Sequence, residues 1–227
     1  MRAMRMSAIE DLPIPNAYLR LMALALDDPA ALVQGTGLSL DDVLSADAPI
    51  TVRDALRCLR NLPGGAGRAD FHHRWAEAFG EHFHGPLTAA WLTAPTLGDG
   101  IDIFVRFIPD RAPYLAWQAV RSGERYAVSV RTLMDLGDQT PALIELPMLV
   151  LLRYVQTMRA GLATGVLLRL AHAPVVPRED YRARFRADPR IRLAGIAAAN
   201  LVYLFPDGNR PEVPFVTDHA GRPLPAN

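Results

Sequence analysis

The sequence predicts an α+β protein in which an N-terminal helical bundle is followed by a ββαβαββ unit, with a mainly antiparallel sheet covered by helices. In the first part of the chain, apolar residues recur at helical spacing behind residues that can cap a helix. The middle changes to two strand-like segments joined by a short turn, and a long apolar run follows. The chain has 227 residues, 50% of them hydrophobic, which is enough to bury a substantial core.

Five helices are expected in the first part of the chain. Asn16, Thr51 and Asp70 each precede an apolar stripe, and each can cap a helix through its side-chain oxygen. Pro29 and Ser39 are placed to begin two shorter helices between the first and the fourth. These five helices form the predicted bundle.

A hairpin is expected in the middle of the chain. Thr96, with Asp99 three residues later, resembles a capping box and begins the helix before it. Residues 113–120 and 126–132 are rich in strand formers and are separated by a turn that contains Gly123. This spacing predicts two antiparallel strands.

The second half of the unit begins with a long apolar helix. Thr140 and Pro141 start this helix, and Pro147 predicts a kink within it. We then expect a strand at 164–171 and a charged amphipathic helix at 177–187. Two short strands, at 191–194 and 201–205, complete the sheet.

The chain is expected to divide into four parts. Residues 1–15 form an N-terminal tail, 16–83 the helical subdomain, and 84–205 the α+β subdomain. Residues 206–227 contain scattered prolines and no apolar period, which is typical of a tail or linker.

Charge argues against an extended nucleic-acid surface. Lys plus Arg and Asp plus Glu both number 24, and binding to DNA phosphates is favoured by an excess of basic residues. All basic residues are arginine. Residues 30–44 superficially resemble a helix-turn-helix, but the second helix, SLDDVLSAD, is acidic. No DNA-binding residue is therefore predicted within this sequence.

The single cysteine and the N-terminus favour the cytoplasm. Cys58 has no second cysteine to pair with, so an intrachain disulfide is excluded. The apolar neighbours of Cys58 predict that it packs in the core. The N-terminus lacks the apolar segment of a secretory signal. The apolar run 143–155 is too short to span a membrane and contains Glu145 and Arg153, so it is interpreted as a buried helix, with no membrane partner.

Three segments in order resemble one protein family. The first runs from Tyr18-Leu19-Arg20 to Gly37-Leu38, and the second reads HGPLTAAWLTAPTLGDG from His84, leading to Arg106-Phe107. The third reads LAHAP from Leu170, followed by Tyr181, Phe185, Arg192-Leu193 and the stretch from Asn200 to Phe205. Together, over residues 16 to about 215, they are similar to the arabinose-binding-like N-terminal regulatory domain of AraC/XylS-type transcriptional regulators. Gly98-Asp99-Gly100 departs from the Gly-Glu-Ala of the family, and Pro86 replaces a more flexible residue.

The resemblance implies a regulatory role. A domain of this family is expected to bind a small organic effector, such as a carboxylate or an apolar metabolite, and to form a homodimer. The family's DNA-binding half lies C-terminal and contains two helix-turn-helix units, which are not recognisable here. The chain is either an excised fragment or a free-standing domain, and in both cases it is expected to contact DNA only through that absent domain. The alternative is a ligand-free oligomerisation domain.

Enzyme, cofactor and metal chemistry have weak support. GxSxG, P-loop and dinucleotide motifs are absent from the sequence, so no catalytic residue and no cofactor are predicted. His73, Glu77 and Glu81 share one helix face, but this spacing is more typical of a solvated face than of a metal site. A triad of Asp135, Asp138 and His172 can be drawn on paper in any chain of this length.

A ligand pocket is the functional site that the sequence favours. Such pockets are mostly apolar, with a few placed polar groups. Arg169 is the preferred anion ligand because it interrupts an apolar strand, and Arg106 and Arg131 are further candidates. The candidate apolar walls are Trp91, Phe104, Trp117, Met148 and Tyr154.

Overall fold

The protein mixes helices with small sheets, so the predicted α+β class is confirmed. The computed structural model describes residues 8–45, 48–62, 75–76, 79, 85–122, 125–158, 166–172, 177–185, 187–191 and 200–204. Of the predicted helix after Asp70, only residues 75–76 and 79 are described, and the tail at 206–227 lies outside the described residues. The predicted domain boundaries stay a prediction.

Short elements make up the N-terminal part. In chain order they are β1 (Pro13–Ile14), α1 (Ala17–Leu24), a 3-10 turn (Pro29–Val33), α2 (Leu40–Leu44), β2 (Ile50–Thr51) and α3 (Val52–Asn61). The two strands pair antiparallel, with Ile14 opposite Ile50. This pairing holds the chain before α1 against the start of α3.

Two of the predicted caps in this part are confirmed. The Ser39 hydroxyl accepts a hydrogen bond from the Asp42 amide, and the Asp42 carboxylate accepts one from the Ser39 amide. The Ser39 hydroxyl also donates to the Asp42 carboxylate at 2.7 Å, and this bond, followed by the one from the Ser39 amide, lowers the pKa of Asp42. The Thr51 hydroxyl accepts from the Asp54 amide at 3.1 Å in the same way. Each cap satisfies a backbone amide at the first turn of its helix.

The predicted cap at Asn16 is wrong. Asn16 precedes α1 but makes no side-chain bond to that helix. Its buried amide nitrogen Nδ2 donates instead to the carbonyls of Asp42 at 3.1 Å and Val43 at 3.3 Å, and to that of Ser45. The last carbonyls of a helix lack partners within it, so Asn16 closes the C-terminus of α2 and fastens α1 to it.

Helices and strands of the second part follow in this order: α4 (Pro86–Leu92), α5 (Leu97–Phe107), a 3-10 turn (Ile108–Asp110), β3 (Leu115–Ser122), β4 (Arg125–Thr132), a 3-10 turn (Gly137–Gln139), α6 (Thr140–Met158), β5 (Val166–Leu170), α7 (Arg178–Phe185), β6 (Ala187–Ile191) and β7 (Asn200–Leu204). The Thr96 hydroxyl caps α5 by accepting from the Asp99 amide at 3.1 Å. Helix α6 continues through Pro147. The kink expected there stays a prediction.

Five strands form the main sheet in the order β3-β4-β7-β5-β6. Strands β3 and β4 pair antiparallel, with Trp117 opposite Val130, and β7 lies antiparallel to both β4 and β5. Only β5 and β6 are parallel among the described pairs. A parallel pair needs a crossover connection, and α7 lies in that connection.

The strand expected at 191–194 begins earlier than predicted. The paired segment is Ala187–Ile191, and residues 192–194 lie outside the described part of the chain. The prediction followed the apolar residues after Ile191, whereas pairing with β5 begins only two residues after α7 ends. Strand β6 contains Pro189, which an edge strand tolerates because it pairs on one side only.

One hydrophobic core joins the two parts. It includes Leu19 and Val52 from the N-terminal helices, Phe104 from α5, Val128 from β4 and Leu149 from α6. Cys58 is fully buried in this core, as predicted, and burial raises the pKa of its thiol to about 11. Among the described residues, no helix combines the length and the apolar character needed to cross a membrane.

Candidate functional site

A cleft lies where the N-terminal elements meet α6. Its cavity volume is about 70 Å³, which is small beside the roughly 300–1,000 Å³ typical of pockets that hold drug-sized ligands. Its walls come from β1, α1, α3, the turn after α5 and α6, and include Ile14, Met22, Leu56, Ile108 and Val150. The cleft is therefore built from segments that are distant in sequence.

The lining is apolar with one polar region. Of the eighteen described residues that line the cleft, fifteen are apolar, and the other three are Tyr18, Arg111 and Tyr114. Tyr18 lies on α1, and Arg111 and Tyr114 follow the 3-10 turn Ile108–Asp110. A mostly apolar cleft with a few polar groups is the usual form of a ligand site.

Arg111 is held between Tyr18 and the turn before α4. Its Cζ atom lies 6.0 Å from the centre of the Tyr18 ring, within the range of a cation–π contact. Its Nη2 atom lies 3.7 Å from the position that a Cβ atom would take on Gly85. Gly85 has a φ of 55°, a conformation that favours glycine, whereas the 3.7 Å distance to Arg111 is an ordinary contact that a Cβ atom could make.

The two phenols stay neutral at ordinary pH. Burial is the largest cause of the raised pKa of Tyr18, and the Arg111 charge partly offsets it. Burial alone raises the pKa of Tyr114 to about 12. Both side chains are therefore hydroxyl groups that can donate a hydrogen bond, and neither adds negative charge beside Arg111.

An ion pair secures the outer edge of the cleft wall. The Arg53 guanidinium contacts Glu10 at 3.1 Å and Asp11 at 2.7 Å, which fastens the residues before β1 to α3. The partners are partly exposed, so this pair adds little to stability. It contributes mainly to the position of the segment that carries Ile14.

The aromatic residues predicted as pocket walls pack on one another. Trp91 lies 5.2 Å from Tyr154 and 6.0 Å from Phe104, and Phe104 lies 5.5 Å from Trp117, measured between ring centres. The Tyr154 hydroxyl is 2.8 Å from the Thr88 hydroxyl. These four aromatic residues and Met148 are absent from the cleft lining. Their role as ligand contacts stays a prediction.

The predicted arginines are not brought together with the cleft. Arg106 is exposed, with its Cζ atom 5.4 Å from the centre of the Phe107 ring. Arg131 is exposed on β4, opposite Ala116. The backbone of Arg169 pairs with Leu201 in β7, and its side chain lies outside the described part of the structure. Whether any of the three binds a ligand stays a prediction.

Sequence reasoning missed the polar region of the cleft. Tyr18 falls within the predicted first helix and Tyr114 within the strand predicted at 113–120, while Arg111 lies in a connection for which the sequence predicts no role. The only local signal is the pair Asp110-Arg111, two adjacent opposite charges between two apolar elements. The proximity of Tyr18 to Arg111 depends on the tertiary fold.

A second polar cluster joins α6 to α7. The Glu145 side chain is fully buried, with His172 Nε2 at 2.7 Å from Oε1. The Tyr181 hydroxyl, also fully buried, donates to Oε2. Two residues of the third family-like segment, His172 and Tyr181, therefore converge on one carboxylate.

The alternative catalytic and metal sites gain no support from the geometry. His172 contacts Glu145, while Asp135 accepts a hydrogen bond from the Gly137 amide at 2.9 Å. His73, Glu77 and Glu81 lie outside the described residues. In the described part of the chain, acidic, histidine and cysteine side chains do not gather in a group that could hold a metal ion.

Comparison with known families identifies the chain. No curated protein matches it. Residues 28–194 match the model for the arabinose-binding domain of AraC transcription regulators, N-terminal. This match covers well over half of the 227 residues, and the family is one of regulatory ligand-binding domains rather than of enzymes. The chain therefore belongs to the N-terminal arabinose-binding domains of AraC transcription regulators.

Proposed function

We propose that this chain is the effector-sensing domain of an AraC-type regulator and that its effector binds in the cleft beside Arg111. The observation that carries the proposal is the form of the cleft, with apolar walls and one polar region. Its walls come from both the N-terminal elements and α6, so an occupant would touch both parts of the protein. Such contact allows a ligand to favour one arrangement of these parts over another.

The proposal also assigns the remaining steps of regulation. The chain pairs with a second copy in the cytoplasm, and DNA is contacted by a separate helix-turn-helix domain. The balanced charge of the sequence supports this division, because a DNA-binding surface needs an excess of arginine or lysine. Effector binding then alters regulation through its different affinity for two conformations.

A competing location for the effector is the aromatic cluster predicted from the sequence. The indole nitrogens of Trp91 and Trp117 are buried and have no acceptor among the described residues. A ligand oxygen beside them would satisfy these donors. The two locations share no lining residue, so single substitutions can separate them.

The test begins with a thermal-shift screen of the 227-residue chain against acids, amino acids and fatty acids. A ligand present at one hundred times its Kd adds roughly 2.7 kcal/mol to the free energy of unfolding. The best ligand is then measured on Ala55→Leu and Ala112→Leu, which reduce the cleft volume at two buried positions. Ala25→Leu is the matched control, because Ala25 is exposed and outside the cleft.

We expect both cleft substitutions to weaken binding at least tenfold and the control to leave it unchanged. Loss of binding only in Trp117→Phe would place the effector in the aromatic cluster and refute the cleft. If nothing binds, with the library validated on a known sensor, the ligand-free oligomerisation domain becomes the better explanation.

A further inference from the structure

The size and the lining of the cleft narrow the class of effector, an inference that rests on the proposed function. We propose that the cleft binds a small, neutral, apolar molecule, of the size of a single aromatic ring or a short branched alkane. Charged molecules and free sugars are the classes that the cleft suits least.

The volume of the cleft limits the size of its occupant. A cavity of about 70 Å³ has room for roughly five to seven water molecules at 10–15 Å³ each. This is the bulk of one hydrocarbon ring, and a long fatty acid would exceed it. Apolar cavities in proteins can stay free of water and bind benzene, so a ring that enters displaces little ordered water.

The polar groups of the lining interact with the protein itself. The Arg111 guanidinium donates a hydrogen bond to the Tyr18 oxygen and lies over the Tyr18 ring, with its Cζ atom 6.0 Å from the ring centre. One terminal nitrogen of Arg111, Nη1, is fully buried, and both residues make further interactions. The charge of Arg111 therefore belongs to the structure of the cleft wall.

The rest of the lining penalises charge and hydroxyl groups. Aspartate and glutamate are absent from the described lining, and Tyr114 is neutral because burial raises its pKa to about 12. An ion that enters loses its hydration without gaining an opposite charge, and a sugar hydroxyl without a new partner is costly to bury. Hydrocarbon surface, by contrast, gains contact with fifteen apolar residues.

Aromatic groups in the walls favour a ring over an alkane. Tyr18 and Phe79 both line the cleft, with their ring centres 4.7 Å apart and their planes tilted by 53°. An aromatic occupant can place its edge against the face of either ring, a favourable arrangement of two aromatic groups. The Met22 side chain lines the same cleft, and a thioether also makes favourable contacts with aromatic rings.

Isothermal titration calorimetry on the 227-residue chain compares five probes. Toluene, benzoate and benzylammonium share one ring and differ in charge, butylbenzene has a longer alkyl group, and L-arabinose is the sugar in the name of the family. We expect toluene to bind at least tenfold more tightly than benzoate, benzylammonium or L-arabinose. Without a size limit, each added methylene group would strengthen binding roughly fourfold, whereas we expect butylbenzene to bind more weakly than toluene.

Substitutions at two buried lining positions test the fit. Leu56→Ala enlarges the cleft and should reverse the order of toluene and butylbenzene. Ala55→Leu fills the cleft and should weaken the binding of toluene at least tenfold. Leu24→Ala and Ala25→Leu are the matched controls, because both residues are exposed on or beside α1 and do not line the cleft.

Each outcome separates this inference from the proposed function. Benzoate, benzylammonium or L-arabinose binding as tightly as toluene, or butylbenzene binding more tightly than toluene, would overturn the proposed class. If that binding is lost in Ala55→Leu, the cleft remains the sensing site.

The location is tested by the same variants. Toluene binding that survives Ala55→Leu would place the occupant elsewhere and refute both proposals. If toluene does not bind and another library member binds in a way that Ala55→Leu abolishes, this inference alone fails. If no probe and no library member binds, the proposed function fails as well. Should Leu56→Ala not fold, the comparison of toluene with butylbenzene on the unmodified chain still decides the size limit.

Discussion

Replacement of Glu145 by alanine removes the carboxylate that joins α6 to α7 and to the end of β5. The carboxylate is fully buried, lies 2.7 Å from His172 Nε2 and accepts a hydrogen bond from Tyr181. A hydrogen bond to a charged group contributes about 1.5–3 kcal/mol, and removing one member of a buried pair costs about 3–5 kcal/mol. We expect Glu145→Ala to lower the free energy of unfolding by about 3–5 kcal/mol, which lowers the Tm by roughly 6–20 °C for a chain of this size.

Urea denaturation followed by tryptophan fluorescence measures this effect. Glu179→Ala is the control, because Glu179 is exposed on the same helix as Tyr181 and its loss should change stability by less than about 0.5 kcal/mol. A double-mutant cycle of Glu145→Ala with Tyr181→Phe should give a coupling energy of about 1.5–3 kcal/mol. If Glu145→Ala lowers the free energy of unfolding as little as the control does, or if the coupling energy is near zero, Glu145 does not join α6 to α7 in the way described.

Three further predictions concern single positions. Gly85→Ala should lower the free energy of unfolding by about 1–3 kcal/mol, because Gly85 has a φ of 55° while the added Cβ meets only an ordinary contact at 3.7 Å. Gly37→Ala, at an open position without positive φ, is the control, and urea denaturation measures both variants. Equal losses of stability in the two variants would exclude backbone strain. The Cys58 thiol, buried and with a pKa of about 11, should react with Ellman's reagent at pH 8 only in urea, and rapid labelling of the folded protein would contradict its burial. The pKa of Tyr114 is about 12 in the folded protein, against an ordinary value of 10.0. The stabilisation that comes from its neutral phenol is therefore complete below pH 10, and above pH 10 the free energy of unfolding falls by about 1.4 kcal/mol per pH unit. Tyr114→Phe should make the decline of the urea midpoint between pH 9 and 11 less steep, and an unchanged slope would argue against this origin.

Local interactions explain which parts of the fold could be predicted from the sequence. The caps at Ser39, Thr51 and Thr96 each involve a partner three residues away, so the sequence contains the whole interaction. The partners of Asn16 are 26 to 29 residues away, so its role depended on how α1 and α2 pack. A side chain that can cap a helix bonds elsewhere when tertiary contacts offer better acceptors.

The cleft could not be predicted for the same reason. Its walls extend from Ile14 to Val150, and each apolar residue in it has the same sequence pattern as a core residue. The sequence offers the aromatic residues Trp91 and Phe104 as candidate apolar pocket walls, and the structure packs them against each other. Among the polar groups, Arg111 becomes distinctive only when the fold brings Tyr18 beside it.

Helix α6 connects the two polar features of the molecule. Leu143, Pro147 and Val150 lie on the face that lines the cleft, since residues three or four apart share one side of a helix. Glu145 is two residues from Leu143, which places it about 200° around the axis, on the opposite face. The helix is buried on both faces, which explains why apolar residues occur on both sides of it rather than in one stripe. The residues of α6 that line the cleft are all apolar, so no side-chain hydrogen bond fixes that face. The opposite face can shift only by breaking the bonds of Glu145 with His172 and Tyr181. An occupant of the cleft should therefore displace the N-terminal elements more readily than α6, and Glu145 determines which wall of the cleft stays fixed.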